Sequence, residues 1–202
     1  ENYIEAKKNI VRFQRAGDYA VVNGDDRTVV EMCRQVPSTK IFFSIKDEIL
    51  PGVFLREKRL IVKTGDAKAS IDISGRKLPG WFNAQNMAAA AAATFAAAGR
   101  TWSGWRDACE EVFTQFPGVE HRLECVGERG GIRYYNDSIA TNPESTLAAL
   151  DALKGPFVLI AGGFDKRLPF DRLGAEIARR VRAAILIGQT APQIAEAIRA
   201  GK

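Results

Sequence analysis

Short hydrophobic segments that end in polar residues or glycine mark the predicted strands of the first half of the chain. These segments are residues 18–23, 40–45, 53–55, 60–62 and 70–73. The third and fourth segments are expected to pair across the charged turn at residues 56–59. The first has the form of a buried parallel strand, so ligand-binding groups are expected just past its end.

Three helices are predicted between these strands and the middle of the chain. They cover residues 1–14, the alanine-rich stretch 87–98 and residues 103–113. Residues 80–86 lead into the alanine-rich helix, and Gly99 is expected to end it. Pro117 and Gly118 then break the chain. We therefore predict two domains, residues 1–117 and residues 118–202.

The second half alternates short apolar segments with helical ones. A hairpin is predicted from residues 123–127 and 132–136, followed by strands at 157–161 and 183–187. Helices are predicted at residues 143–153, 171–180 and 191–200. Alternating buried strands and helices indicate the α/β class, with a parallel sheet that helices cover.

Composition and charge narrow the classes of function. The net charge of +5 is spread along the 202 residues, which favours acidic small ligands such as phosphates or carboxylates. Because the basic residues form no dense run, no nucleic-acid partner is expected. No apolar run is long enough to cross a bilayer, so we expect a cytoplasmic protein without a membrane partner. The three cysteines are expected to be buried.

The most informative polar stretch is NDSIATN, residues 136–142, between a strand and a helix. Asn142 or Thr141 can cap that helix, with Pro143 at its first position. Alternatively, free N–H groups at the helix start can form an anion or ribose site. Both interpretations remain open on spacing alone.

Three further segments carry candidate chemistry. AGGFDK, residues 161–166, is either a glycine turn with a solvated lysine or a close ligand approach beside Lys166. Asn83 and Asn86 can present two amides to a purine, although helix capping competes for one of them. Arg122 suits bidentate phosphate binding. Lys7, next to Lys8, gives no reason by spacing to prefer a function over a solvated face.

Two motifs are absent from the sequence. No GxxxxGK[ST] phosphate loop occurs, and no GxGxxG fingerprint for a dinucleotide is present. The single histidine, His121, cannot support a histidine-containing metal cluster.

Taken in order, several segments resemble the Mur ligase family. The helix YIEAKKNI fits the pattern YxxAKxxI, VVNGDD fits VxNxDD, and GWFNAQN fits GxHNxxN. In the second half EHRLE fits PHRxE, YNDSIATN fits NDSKATN except that Ile139 stands in place of the lysine, and LIAGGFDKRLPF contains GGxDKxxxF. The order and spacing of these motifs along nearly the whole chain carry the resemblance.

The resemblance implies the second half of a central ATP-binding domain with a mixed sheet, followed by most of a Rossmann-like, doubly wound C-terminal domain. It implies an ATP- and Mg²⁺-dependent ligase that phosphorylates the carboxylate of UDP-N-acetylmuramoyl-L-alanine, whose acyl phosphate the D-glutamate amine attacks. The full-length protein is expected to be a monomer. The chain begins with Glu1 rather than Met, and both ends are expected to be boundaries within a longer protein, so this stretch alone is expected to be inactive.

Site residues follow from the same resemblance. Lys7 matches the lysine that is carbamylated and helps hold magnesium, and with Lys166 it is an implied catalytic residue. Asn83, Asn86, Arg122 and Asp137 match residues that bind ATP, at its adenine, phosphates and ribose. The implied substrate-binding residues, around D-glutamate, are Ser138, Thr141 and Lys166.

Three departures separate this sequence from the family pattern. Phe82 replaces a histidine, Gly24 replaces an alanine, which is expected to be a small change, and Ile139 replaces a lysine near the acidic substrate.

Two other functions stay open. One is a different amide ligase, such as a folylpolyglutamate synthetase or a ligase for a later cell-wall residue; the other is a non-catalytic α/β module that binds acidic metabolites.

Overall fold

The computed structural model describes residues 2–99 and 103–201. The chain divides into two compact units, Glu1–Pro117 and Gly118–Lys202. Within the described ranges, no helix is both long enough and apolar enough to cross a membrane.

The first unit is built on a five-stranded mixed sheet whose strands lie in chain order. The strands are β1 (Tyr19–Asn23), β2 (Thr39–Ser44), β3 (Gly52–Arg56), β4 (Arg59–Thr64) and β5 (Ala67–Asp72). The first three are parallel to one another, and β3–β4 and β4–β5 are antiparallel. The predicted pairing across the charged turn is confirmed, because Val53 lies opposite Val62 and Leu55 opposite Leu60.

Four α-helices accompany this sheet in the described residues. They are α1 (Asn2–Arg12), α2 (Arg27–Met32), α3 (Trp81–Thr94) and α4 (Trp105–Gln115), and a π-helical turn, Phe95–Gly99, continues α3. The prediction for the alanine-rich helix was wrong at its start, because α3 already begins at Trp81 and includes most of the expected lead-in. Helix α2 was not predicted. The predicted first residue of α1, Glu1, lies outside the described residues.

The core of the first unit is built from two sets of side chains. One set is the buried residues that alternate with more exposed ones along the strands, and the other is the small residues on α3. Leu60 and Val62 on β4 are fully buried beside Ile71 on β5. Helix α3 packs on the sheet through Ala84, Met87, Ala88, Ala91 and Ala92. Because alanine side chains are small, the helix axis can approach the strands closely, and the apolar area removed from water stabilises the layer pair.

The second unit contains an antiparallel hairpin, three helices and two parallel strands among its described residues. The hairpin joins β6 (Glu124–Arg129) to β7 (Ile132–Asn136) and confirms the prediction. The remaining elements are α5 (Pro143–Ala152), β8 (Phe157–Gly163), α6 (Asp171–Arg180), β9 (Val181–Gly188) and α7 (Ala191–Ala200). Strands β8 and β9 pair in parallel, as the alternation of strands and helices predicts.

Helices cover one face of the β8–β9 pair. Leu147, Leu173, Ile177 and Ile194 form the buried cluster of this unit, with Leu159 and Leu186 of the strands packed against it. The side chains of Val158, Ile160, Ile185 and Ile187 on the strands are exposed. Cys125 on β6 is also exposed, so the expectation of three buried cysteines was wrong for this one.

Candidate functional site

Two of the motifs in the second unit interlock into one structure, which we call the double turn (residues 121–124 and 136–140). An oxygen of Asp137 accepts a hydrogen bond from the backbone N–H of Leu123 at 2.8 Å. The carbonyl of His121 accepts from the N–H of Ile139 at 3.2 Å, and the N–H of His121 donates to the Glu124 carboxylate at 2.8 Å. The motifs that the sequence separates by more than ten residues are therefore neighbours.

The histidine ring also belongs to the double turn. The side-chain nitrogen of Asn136 lies 2.8 Å from Nδ1 of His121, and the side-chain oxygen of Asn136 accepts from the N–H of Ser138 at 3.1 Å. The contact between His121 and Asn136 was not predicted from the sequence. A signal was present, because the NDS and EHRLE motifs adjoin the same predicted hairpin.

The double turn carries a partly buried carboxylate, Asp137, and an exposed guanidinium, Arg122. Burial raises the pKa of the Asp137 carboxyl, and the N–H of Leu123 and the charge of Arg122 act in the opposite direction. Arg122 itself is exposed, and its guanidinium has no hydrogen bond or ion pair with any other described residue. The structure thus brings Arg122 and Asp137 together and leaves the donors of Arg122 free for a ligand.

The start of α5 settles which residue caps it. The side-chain oxygen of Asn142 accepts from the N–H of Ser145 at 2.8 Å and from its hydroxyl at 2.9 Å. Asn142 is therefore the cap. Thr141 and Ser138 are exposed beside it and take no part in the capping.

The paired glycines at the end of β8 have a structural reason. Gly162 has φ of 129°, and a Cβ there would lie 1.9 Å from the carbonyl oxygen of Ile187 on β9. Gly163 has φ of 142°, and its carbonyl accepts from the N–H of Thr190 at 3.2 Å. The close approach that these glycines permit is to the neighbouring strand.

The loop that carries Lys166 is held by the residue before it. Asp165 accepts from the Gln193 side chain at 3.1 Å and from the N–H of Arg167 at 2.7 Å. Both bonds lower the pKa of Asp165, and the bond from Gln193 has the larger effect. Lys166 is exposed and has no hydrogen bond or ion pair with other described residues.

A depression of about 510 Å³ lies next to this loop. Its walls include Asp165, Asp171 and Glu196 against the single cation of Arg167, and Lys166 does not line it. Three carboxylates against one arginine would repel a dicarboxylate such as glutamate. This depression is therefore not a candidate for the acidic substrate.

In the first unit, Asn83 and Asn86 lie together on the first turns of α3. The amide nitrogen of Asn83 donates to the carbonyl of Pro79 at 2.7 Å, and the nitrogen of Asn86 lies 3.5 Å from the side-chain oxygen of Asn83. Asn83 thus contributes to the helix start, and the exposed Asn86 keeps its carbonyl oxygen for other partners. Because an N-cap side chain accepts from backbone N–H groups, the bond from Asn83 to Pro79 is not a cap, and Gly80 is the N-cap residue of α3.

Lys7 is exposed on α1, where its Nζ lies 5.3 Å from the centre of the Tyr3 ring. Within residues 2–99 and 103–201, no group of three or more histidine, cysteine, aspartate or glutamate side chains could hold a metal ion.

The sequence matches two models of one protein family. The Mur ligase middle domain covers residues 1–94, and the glutamate ligase domain of Mur ligases covers residues 121–202. A mixed-sheet unit followed by a unit with parallel β-strands, helices and the double turn is thus a ligase-type α/β architecture. The chain belongs to the Mur ligase family.

Two of its relatives within that family carry the same name. The UDP-N-acetylmuramoylalanine--D-glutamate ligase of Acetivibrio thermocellus is 40% identical over 200 residues, which are 98% of this chain and 42% of that protein. The enzyme of the same name from Symbiobacterium thermophilum is 43% identical over 206 residues, which are 100% of this chain and 44% of that protein. The chain therefore spans less than half the length of these curated relatives.

Solved structures share the fold at low sequence identity. A pseudomurein peptide ligase type C from Methanothermus fervidus has a TM-score of 0.67 at 17% identity, covering 99% of this chain and 47% of that one. The folylpolyglutamate synthetase from Lactobacillus casei has a TM-score of 0.56 at 16% identity, covering 98% and 52%. These likenesses establish the α/β fold class.

Proposed function

We propose that this chain supplies nucleotide- and amino-acid-binding parts of an ATP-dependent ligase that adds D-glutamate to UDP-N-acetylmuramoyl-L-alanine in peptidoglycan synthesis. In the proposed reaction the muramoyl-alanine carboxylate becomes an acyl phosphate, and the D-glutamate amine attacks it. The observation that carries the proposal is the double turn, which presents the free guanidinium of Arg122 beside Asp137. Identities of 40% and 43% to relatives named for this reaction support it.

The proposed roles follow the chemistry of each side chain. Arg122 binds phosphate oxygens of ATP, because a planar guanidinium can donate two parallel hydrogen bonds to them. Asp137 accepts from a ribose hydroxyl, and Asn86, with Asn83 behind it, contacts the adenine edge. Ser138, Thr141 and Lys166 offer two hydroxyls and a cation to the carboxylates of D-glutamate.

Lys7 is the remaining proposed catalytic residue. A carbamate on its amine would supply oxygen ligands, which magnesium prefers. Among residues 2–99 and 103–201 no group of three or more histidine, cysteine, aspartate or glutamate side chains could hold the ion, so we derive no catalytic step through it. We also propose that the 202 residues alone do not catalyse amide formation, because they contain no phosphate loop for ATP.

Ligand titration of the 202-residue chain tests the proposal. The nonhydrolysable analogue AMP-PNP with Mg²⁺, and separately D-glutamate, would be added while backbone amide signals are followed by NMR. We expect AMP-PNP to shift the signals of residues 121–124 and 136–138. Arg122→Gln should weaken AMP-PNP binding about 10-fold or more, because charged hydrogen bonds contribute about 1.5–3 kcal/mol.

The matched control is Arg133→Gln, which removes another exposed arginine of the same unit. Equal effects of the two variants would contradict the phosphate role of Arg122.

Replacing the matching segment of the Acetivibrio thermocellus ligase with this chain then tests the substrates. A folded chimera that adds D-glutamate supports the proposal. One that adds only other amino acids favours a different amide ligase, and one that binds ligands without turnover favours a non-catalytic module.

A further inference from the structure

A carboxylate joins the ends of the first two strands of the sheet. Asp25 follows β1, and its two oxygens accept from the hydroxyl of Ser44 at 2.6 Å and from the N–H of Ile45 at 2.9 Å, both at the end of β2. The side chain of Asn23 accepts from the N–H of Asp25 at 3.0 Å and fixes the turn between them. Since Ser44 is only 1% exposed, this bridge lies at the edge of the core.

The same carboxylate reaches the helix that carries the two asparagines. The amide nitrogen of Gln85 on α3 lies 3.3 Å from an oxygen of Asp25 and 3.4 Å from the side-chain oxygen of Asn23. The N-cap residue of α3, Gly80, makes no side-chain capping bond. Gln85 therefore ties the first turns of α3 to the ends of β1 and β2.

Packing alone specifies the rotation of α3 poorly. Its buried face consists of four alanines and Met87, and alanines are alike in size and shape. A face of similar small side chains fills space at several rotations, whereas a directional hydrogen-bond network to a fixed carboxylate favours one of them. Successive helix residues differ by about 100° around the axis, so Gln85 points away from the face of its neighbour Asn86.

We propose that Asp25 and Gln85 are positioning residues that set the rotation of α3 and thereby the direction in which Asn83 and Asn86 present their amides. This inference rests on the proposed function, in which those amides contact adenine. Neither Asp25 nor Gln85 touches the nucleotide. Their effect on binding is transmitted through the helix.

The test measures AMP-PNP affinity of the 202-residue chain, by NMR titration, together with its urea unfolding midpoint. Gln85→Met keeps the side-chain length but removes the amide that bonds to the Asp25 carboxylate. We expect about 3- to 10-fold weaker binding, because only a fraction of the molecules then hold α3 in the binding rotation. The urea midpoint should also fall, because the lost bond contributes to folding. Gln115→Met, on the exposed side of α4, is the matched control and should leave the affinity unchanged.

A rescue variant distinguishes positioning from a general loss of structure. Gln85→Glu places a second carboxylate against Asp25 and should weaken binding more than Gln85→Met does. Adding Asp25→Asn removes one of the two negative charges, so the double variant should bind better than Gln85→Glu. Recovery should be incomplete, because the Asp25 oxygen that faces residue 85 also accepts from the N–H of Ile45. Failure of the double variant to bind better than Gln85→Glu would overturn the inference.

Asn86→Ala separates this inference from the proposed function. If Asn86→Ala weakens AMP-PNP binding but Gln85→Met does not, the positioning role is wrong and the adenine role stands. If Asn86→Ala leaves the affinity unchanged, the adenine role on which the inference rests is wrong. Weaker binding in both variants, with rescue by the double variant, is the expected result.

Discussion

The carboxylate of Asp137 and the backbone N–H of Leu123 form a 2.8 Å hydrogen bond that closes the double turn. Leu123 has φ of 47°, and His121, two residues earlier, has φ of 64°. Non-glycine residues with such values are uncommon and persist where surrounding contacts hold them. The bond from Asp137 thus helps to maintain a backbone shape that presents Arg122 to solvent.

The stability of the chain should depend on pH through Asp137. Because the folded-state pKa of this carboxyl is raised, the protonated form is favoured in the native state. Its contribution is fully present below the unfolded-state pKa of about 3.9 and is lost as pH rises through the folded-state pKa. Relative to the parent, Asp137→Asn should therefore gain stability as pH rises above about 4 in urea unfolding.

Asp165→Asn is the control of opposite sign. Its pKa is lowered by the bonds from Gln193 and Arg167, so its contribution is present above the unfolded-state pKa and lost as pH falls. The free energy of unfolding of Asp165→Asn, measured relative to the parent, should therefore be lower at pH 7 than at low pH. Parallel pH profiles for the two variants would contradict both assignments.

Capping and substrate binding at α5 can be separated by two neighbouring substitutions. Asn142→Ala removes the acceptor for Ser145 and should lower the free energy of unfolding by about 1 kcal/mol, within about 0.5–2. Thr141→Ala removes an exposed hydroxyl and should change it by less than about 0.5 kcal/mol. D-Glutamate titration of each variant completes the measurement, and only Thr141→Ala should weaken binding at unchanged stability.

Most elements of the fold could be predicted because their patterns are local. The β3–β4 hairpin follows from two apolar runs around a charged turn, and α6 and α7 have the predicted bounds. Helix α2 could not be predicted in this way, because its six residues include none that is buried and so show no periodicity. The start of α3 was misjudged because Trp81 and Phe82 favour helices only weakly.

The contacts of the candidate site were less predictable than its residues. The sequence and the family resemblance identified Arg122 and Asp137 as candidates, but the bond from Leu123 to Asp137 joins residues 14 apart through backbone geometry. The link from Gln85 to Asp25 spans 60 residues and has no local signal. Such contacts depend on how strands and helices pack, which periodicity does not encode.

The last two residues of β8, Gly162 and Gly163, should respond differently to alanine. Gly163→Ala meets no atom within 4 Å and should cost only backbone strain, about 1–3 kcal/mol. Gly162→Ala adds a Cβ at 1.9 Å from the carbonyl oxygen of Ile187, so β8 and β9 must separate. Its cost should exceed that of Gly163→Ala and reach values above about 4 kcal/mol. Urea unfolding of both variants checks this order, and equal costs would show that the strand contact is unimportant.

Gly24→Ala restores the residue that the family pattern has at this position, and its effect should depend on Ile49. Two opposing effects are expected. Gly24 lies outside the left-handed region, so the loss of unfolded-state entropy in an alanine variant would by itself stabilise the chain by about 0.4–1 kcal/mol. A Cβ at this position, however, would lie 2.3 Å from Cδ1 of Ile49 and 3.3 Å from the carbonyl oxygen of Phe43. We therefore expect Gly24→Ala alone to destabilise the chain.

Ile49→Val removes the atom responsible for the closest of these contacts, so the two substitutions should be coupled. The single Ile49→Val change should cost about 0.5–1.5 kcal/mol at most, since Ile49 is only partly buried. In the double variant, Gly24→Ala should be neutral or stabilising, which gives a favourable coupling free energy of about 0.5–3 kcal/mol in a double-mutant cycle. Additive effects of the two substitutions on urea unfolding would contradict this. They would mean that the Ile49 side chain rotates away without cost, and that the family's alanine is accommodated here regardless of its neighbour.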